Sequence, residues 1–192
     1  MVKSINKVVP TAVTLTLLSV VMLIFVGSFT PLASAQDDDP IQQMMDEREI
    51  IRSIEGIAIS LDEKDWATVG TFFAEEIFVD FTSLTGGEPG TMASADLITG
   101  WSTALFEDKI SHHMYTNHRV SIEGNNAEVF SKGYAFNLLP NEQGDDLWEV
   151  WGDYIHTLES TENGWIVTGM TFNATYARGN EWVRTYIPTA SE

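Results

Sequence analysis

Apolar residues recur at Ile41, Met44, Met45, Ile51, Ile54, Ala58 and Leu61. This spacing predicts one long amphipathic helix over 41–61, weakened slightly by Gly56 and by the β-branched isoleucines. A short second helix is predicted over 65–73, with Asp62 or Asp65 as its N-cap. The apolar run around Ile77-Phe78-Val79 predicts a strand over 77–82, and the Gly- and Pro-containing stretch 85–90 reads as a loop. Ser94 is placed to cap a third helix over 95–105, bearing Leu97, Ile98, Trp101 and Leu105. After that the period shortens to two. Strands are predicted over 113–122, 127–138, 147–159 and 165–176, separated by turns at 123–126 and 160–164 and a polar loop at 140–146. Three helices and one early strand ahead of a four-strand antiparallel meander define an α+β domain. A bent antiparallel sheet wrapped round the N-terminal helices makes a cone-shaped roll, and the cavity between them is the default place for a ligand.

The first 35 residues follow a different pattern. Lys3 and Lys7 are their only charges, a stretch rich in Val, Leu and Thr follows, and the segment closes on Ala33-Ser34-Ala35. This is the layout of a secretory signal peptide cleaved after Ala35; the rival is an uncleaved N-terminal helix that tethers the protein to a membrane. Residues 36–40 form an acidic linker, 41–178 the folded domain, and 179–192 a tail whose Trp182, Tyr186 and Ile187 predict that it packs. The expected location is extracytoplasmic, secreted or periplasmic.

Charge narrows the partners. The chain carries 10 Lys and Arg against 28 Asp and Glu; removing Lys3 and Lys7 leaves 8 against 28, a net charge of −20. Such a surface repels nucleic acid and anionic membranes, so no membrane contact is expected beyond the export signal. The absence of Cys excludes disulfides, a thiolate nucleophile and a Cys-based zinc site.

Candidate chemistry begins with Asp80, a carboxylate set in an apolar strand. It is either an acid/base group whose pKa is raised by an apolar pocket, or a structural carboxylate that caps a turn or faces water. His113 is its candidate partner. On a regular strand His112 faces the opposite side, Asn117 shares the parity of His113, and His118 does not. Tyr154 and His156 share one face of the long strand, opposite Trp151 and Asp153. The Tyr154 hydroxyl is placed either to polarise a carbonyl oxygen or simply to pack, and His156 is a candidate second acid/base group. No metal-ligand spacing joins the four histidines to the carboxylates. Among the many aromatic and polar residues, Trp66, Phe78, Trp101, Asn117, Tyr134, Phe136 and Phe172 are candidate cavity-lining residues.

Taken in order, a helix leading into Leu61-Asp-Glu-Lys-Asp-Trp66, then Phe72-Phe-Ala-Glu75, Phe78-Val-Asp-Phe81, His113-Met-Tyr-Thr-Asn117 with Arg119-Val-Ser-Ile-Glu-Gly-Asn-Asn-Ala127, Gly152-Asp-Tyr154 and Asn163-Gly-Trp165 resemble the SnoaL-like group of the nuclear transport factor 2 superfamily. The resemblance covers residues 41–178. It implies the cone-shaped α+β roll, also called cystatin-like, and relatives that include polyketide cyclases and scytalone dehydratase. It further implies that Asp80 and His113 occupy the acid/base positions and that no cofactor is needed. Dimerisation through the open sheet face is common in that superfamily. Fold alone leaves two functions open. One is a cofactor-free lyase, isomerase or cyclase acting on a small hydrophobic carbonyl compound. The other is a non-catalytic extracytoplasmic module that binds a small ligand or dimerises.

Overall fold

The computed structural model describes residues 39–189. The expected signal or anchor segment and the linker up to residue 38 lie outside the described residues. Helix α1 (Pro40–Asp62) opens with the Asp39 carboxylate accepting the Ile41 N–H. It buries Ile50, Ile54, Ile57, Ala58 and Leu61, one face at a period of 3.6, against strands β3 and β6 described below. Its first turns run past the core and leave Ile41, Met44 and Met45 exposed. Among the described residues no helix is long and apolar enough to cross a membrane.

Asp65 caps α2 (Trp66–Thr71), accepting the Thr68 N–H at 3.1 Å, so Asp62 is freed for another role. The chain continues through β1 (Phe73–Asp80), a single helical turn α3 (Thr82–Thr85), β2 (Gly90–Ala93) and α4 (Ser94–Ala104). Four long strands follow: β3 (Ile110–Glu123), β4 (Asn126–Leu138), β5 (Leu147–Thr161) and β6 (Gly164–Gly179), then the short helix α5 (Glu181–Thr185). All six strands form one sheet in the order β2-β1-β6-β5-β4-β3. The meander β3 to β6 is the expected antiparallel unit; β1 adds to it in parallel with β6, and β2 pairs antiparallel with β1. The strand at 90–93 follows the expected loop at 85–90 and has no counterpart in the sequence reading, because a four-residue exposed edge is too short for any period to show.

Two local features shape the inner face of this sheet. Gly133 and Gly152 sit directly opposite each other on β4 and β5. A Cβ on Gly133 would come within 2.5 Å of the Tyr154 ring, and one on Gly152 within 2.5 Å of the Phe172 ring and of the Asn173 carbonyl. The missing side chains let both rings lie flat on the sheet. The second feature is a β-bulge: Thr116 pairs with Lys132 but Arg119 pairs with Phe130, so two residues of β3 face one of β4. Asn117 takes a left-handed φ of 55° there.

Candidate active site

Between α1, α4, α5 and the inner face of the sheet lies a mostly apolar cavity of about 220 Å³. Phe81, Trp101, Leu105, Trp148, Met170 and Phe172 supply much of its wall, and His113, Tyr115, Asn137, Tyr154 and Arg184 supply polar groups.

His113 reaches the cavity from β3 and is gripped from behind by Asp62, the last residue of α1. One carboxylate oxygen lies 2.7 Å from the His113 Nδ1, and the other accepts the His113 backbone N–H at 2.7 Å. The Ser111 hydroxyl donates to the same carboxylate at 3.1 Å, and His112 stands 3.5 Å from it on the exposed side. Burial alone would push the Asp62 carboxyl up. The hydrogen bonds and charge of His113 outweigh that and hold it below the ordinary range. An ionised carboxylate only accepts, so the His113 Nδ1 donates to it, and the neutral form of the ring has its lone pair on Nε2, toward the cavity side. A base oriented by a buried carboxylate and set in an apolar hollow is equipped to remove a proton from a bound molecule.

Deeper in the cavity, Tyr115 and Tyr154 stand with ring centroids 4.6 Å apart. Burial raises the pKa of both hydroxyls, so both remain hydrogen-bond donors at ordinary pH. They are suited to an oxygen that gains negative charge.

A family model for the SnoaL-like domain matches residues 42–171, most of the described chain. The chain belongs to the SnoaL-like family. No curated protein matches the sequence. Among solved structures, a Kribbella flavida protein is 25% identical, with a TM-score of 0.71 over 74% of this chain and 99% of that one. A candidate scytalone dehydratase from Novosphingobium aromaticivorans is 16% identical, with a TM-score of 0.62 over 78% of this chain and 94% of its own. The hexachlorocyclohexane dehydrochlorinase LinA-type3 of Novosphingobium barchaimii is 11% identical, with a TM-score of 0.60 over 78% of this chain and all of its own. The last two share the fold.

In this SnoaL-like domain the expected pairing of Asp80 with His113 is not made. Asp80 ends β1, and its carboxylate accepts the backbone N–H of Thr82 at 3.1 Å and the Thr82 hydroxyl at 2.7 Å. These bonds, the hydroxyl's first, hold its carboxyl below the usual range. It caps a turn, the structural role weighed for it in the sequence, and the next residue, Phe81, lines the cavity in its place.

His156 is also displaced from the expected site. It is fully buried beneath Tyr154 and Tyr115, with ring centroids 5.6 Å from each, and is absent from the cavity wall. Neither ring nitrogen has a hydrogen-bond partner. Burial first, and then the charge of His118, lowers its pKa to about 3. The bulge reverses the expected parities at 117 and 118. Asn117 is exposed and accepts the Thr116 hydroxyl, whereas His118 turns inward, 2.8 Å from the Ser131 hydroxyl.

Of the expected cavity residues, Trp101 and Phe172 line it. Trp66 packs against the core elsewhere, and Phe78 is 44% exposed. Tyr134 and Phe136 lie on the outer face, where Tyr134 donates to Glu149 at 2.7 Å and Phe136 stands 5.6 Å from the ring of His112. Both have the wrong strand parity, since Ala135 between them faces the cavity.

Sequence reasoning missed Asp62, Tyr115, Asn137 and Arg184. Tyr115 was within reach, two residues from His113 on the same face. Asp62 left a fainter signal: a carboxylate in the last turn of a helix opposes the helix dipole, and this last turn holds no basic residue to offset it. Among the described residues no cluster of three or more His, Asp or Glu side chains is arranged to hold a metal ion.

Proposed function

We propose that the cavity is the site of a cofactor-free lyase or isomerase acting on a small hydrophobic compound, with His113 as the acid/base group. The observation that supports this most is the double grip of Asp62 on His113, ring and backbone, beside an apolar hollow. Nε2 removes a proton next to an electron-withdrawing group. Asp62 stabilises the imidazolium that forms, and Tyr154, with Tyr115, steadies the developing negative oxygen. The imidazolium then returns the proton to another atom or to a leaving group. Membership of a family whose structural neighbours include a candidate dehydratase and a dehydrochlorinase favours this class.

The test uses a generic carbon acid. Exchange of the acidic C–H protons of 2-tetralone for deuterium is followed by NMR with and without protein. The expected result is acceleration by the wild type that His113→Gln abolishes. Absence of acceleration, or acceleration that survives His113→Gln, contradicts the assignment.

A second reading, a homodimer joined through the outer sheet face, is favoured by a separate observation. Met114, Tyr134, Trp151 and Tyr176 stand in one row across four strands, with Met114 43% and Tyr176 57% exposed. Sedimentation that reports a monomer at micromolar concentration would remove it.

A further inference from the structure

We infer that the cavity takes a ligand bearing a carboxylate, held by Arg184 at the end of the cavity where α5 lies. The inference rests on the cavity being a ligand site and adds the chemical class of what enters it.

Arg184 brings positive charge to a wall that is otherwise apolar or neutral apart from His113. Its position is fixed on several sides. Its guanidinium lies 5.7 Å from the centre of the Trp148 ring, itself a wall residue. Glu181, one turn earlier on α5, accepts from Nε and Nη2. The backbone is pinned as well: the fully buried Lys109 donates to the carbonyls of Tyr186 at 2.9 Å and of Arg184 at 3.4 Å. A guanidinium held by packing and backbone bonds loses little freedom on meeting a ligand.

Three basic side chains gather around this end of the cavity although the chain carries a net charge of −18. Lys109 and Arg184 feel each other's charge, with Lys64 nearby; burial first, and then these neighbours, lowers the Lys109 pKa to about 8. Glu181 is the counter-charge, but it is exposed, where an ion pair is weak. More distant surface acids are screened over about 8–10 Å of salt solution. A carboxylate entering from the drier cavity side meets a cation that the exposed glutamate only partly neutralises. The planar fork matches its two oxygens, and Glu181 leaves part of that fork unused.

Register places this subsite on the same wall of the cavity as the acid/base group. Trp148 on β5 pairs with Asn137 on β4, and Asn137 pairs with Ser111, two residues from His113. Two residues along a strand span about 7 Å and two strand spacings about 10 Å, so the Trp148 and His113 backbones stand roughly 12 Å apart, about the reach of such a ligand. A carboxylate at Arg184 therefore sets the body of a one- or two-ring compound beside His113, with its far end toward Tyr115 and Tyr154.

Calorimetric titration of the protein with 2-naphthoate and with its neutral analogue 2-naphthamide tests this. The wild type is expected to bind naphthoate at least about tenfold tighter, the scale of a charge-assisted pair. Arg184→Gln should remove the preference while leaving naphthamide affinity within about twofold, Arg184→Lys should keep part of it, and Glu181→Gln should increase it. Melting temperatures of the variants establish that each is folded. Equal binding of the two probes by the wild type, or a preference that survives Arg184→Gln, overturns the carboxylate subsite while leaving the cavity as a ligand site. Binding of neither probe overturns both.

Discussion

Two histidines point inward from the same sheet into opposite surroundings. His113, near the start of β3, has a carboxylate 2.7 Å behind one ring nitrogen and a cavity in front. His156, in the middle of β5, is sealed under two tyrosines with no partner for either nitrogen. Both are half polar, and both interrupt an apolar face. The difference is what the fold supplies around them. A partner that fixes the tautomer and an opening that admits a molecule make a histidine useful for proton transfer; without either, burial simply holds the ring neutral.

The contrast can be broken in several ways, of decreasing size. Asp62→Asn should slow proton abstraction from 2-tetralone by about 10²- to 10⁴-fold, the usual worth of an oriented acid/base group. NMR exchange rates measure it. At the sealed end the expected effect is on stability. His156 has a folded pKa of about 3 against an ordinary 6.5, so the unfolded chain binds the extra proton between those values. Its contribution is fully present above pH 6.5 and is lost as pH falls toward 3, by at most roughly 1.4 kcal/mol per unit. Urea titrations from pH 7 to 4 should show that slope in the wild type, and a flatter one in His156→Leu with stability at pH 4 raised. Asp62 acts in a lower window. Its depressed pKa stabilises the fold above the ordinary value of 3.8 and is lost only as pH falls through the depressed value, so Asp62→Asn should flatten the curve below about pH 4.

Smaller effects sharpen the boundary between the two ends. Gly133→Ala pushes a methyl group into the Tyr154 ring that roofs His156, and should cost about 1–3 kcal/mol in urea denaturation. Asp80→Asn removes a turn cap outside the cavity. It should leave the exchange rate within about twofold of wild type, and a large loss would restore Asp80 to the site.

Much of the fold was legible because it depends on period. The buried stripe of α1 and the alternation along the meander are set by the same apolar positions that built them. The edge strand at 90–93 was not, because a short exposed edge has no buried face to mark it. The site was legible only in part. His113 and Tyr154 follow from strand parity, and parity also excludes His112 from the cavity. Asp62 required knowing which strand α1 ends against, a tertiary fact that outweighs the local oddity of Asp80. The bulge at Asn117 defeated parity beyond it, since one extra residue turned His118 inward and Asn117 out.

The central assignment is that Asp62, and not Asp80, holds His113. The proton on the His113 Nδ1 reports this directly, without any substrate. In ¹⁵N-labelled protein a downfield Nδ1–H resonance assigned to His113 should persist in Asp80→Asn and be lost or move strongly upfield in Asp62→Asn. The reverse pattern, loss in Asp80→Asn with the resonance intact in Asp62→Asn, would contradict it.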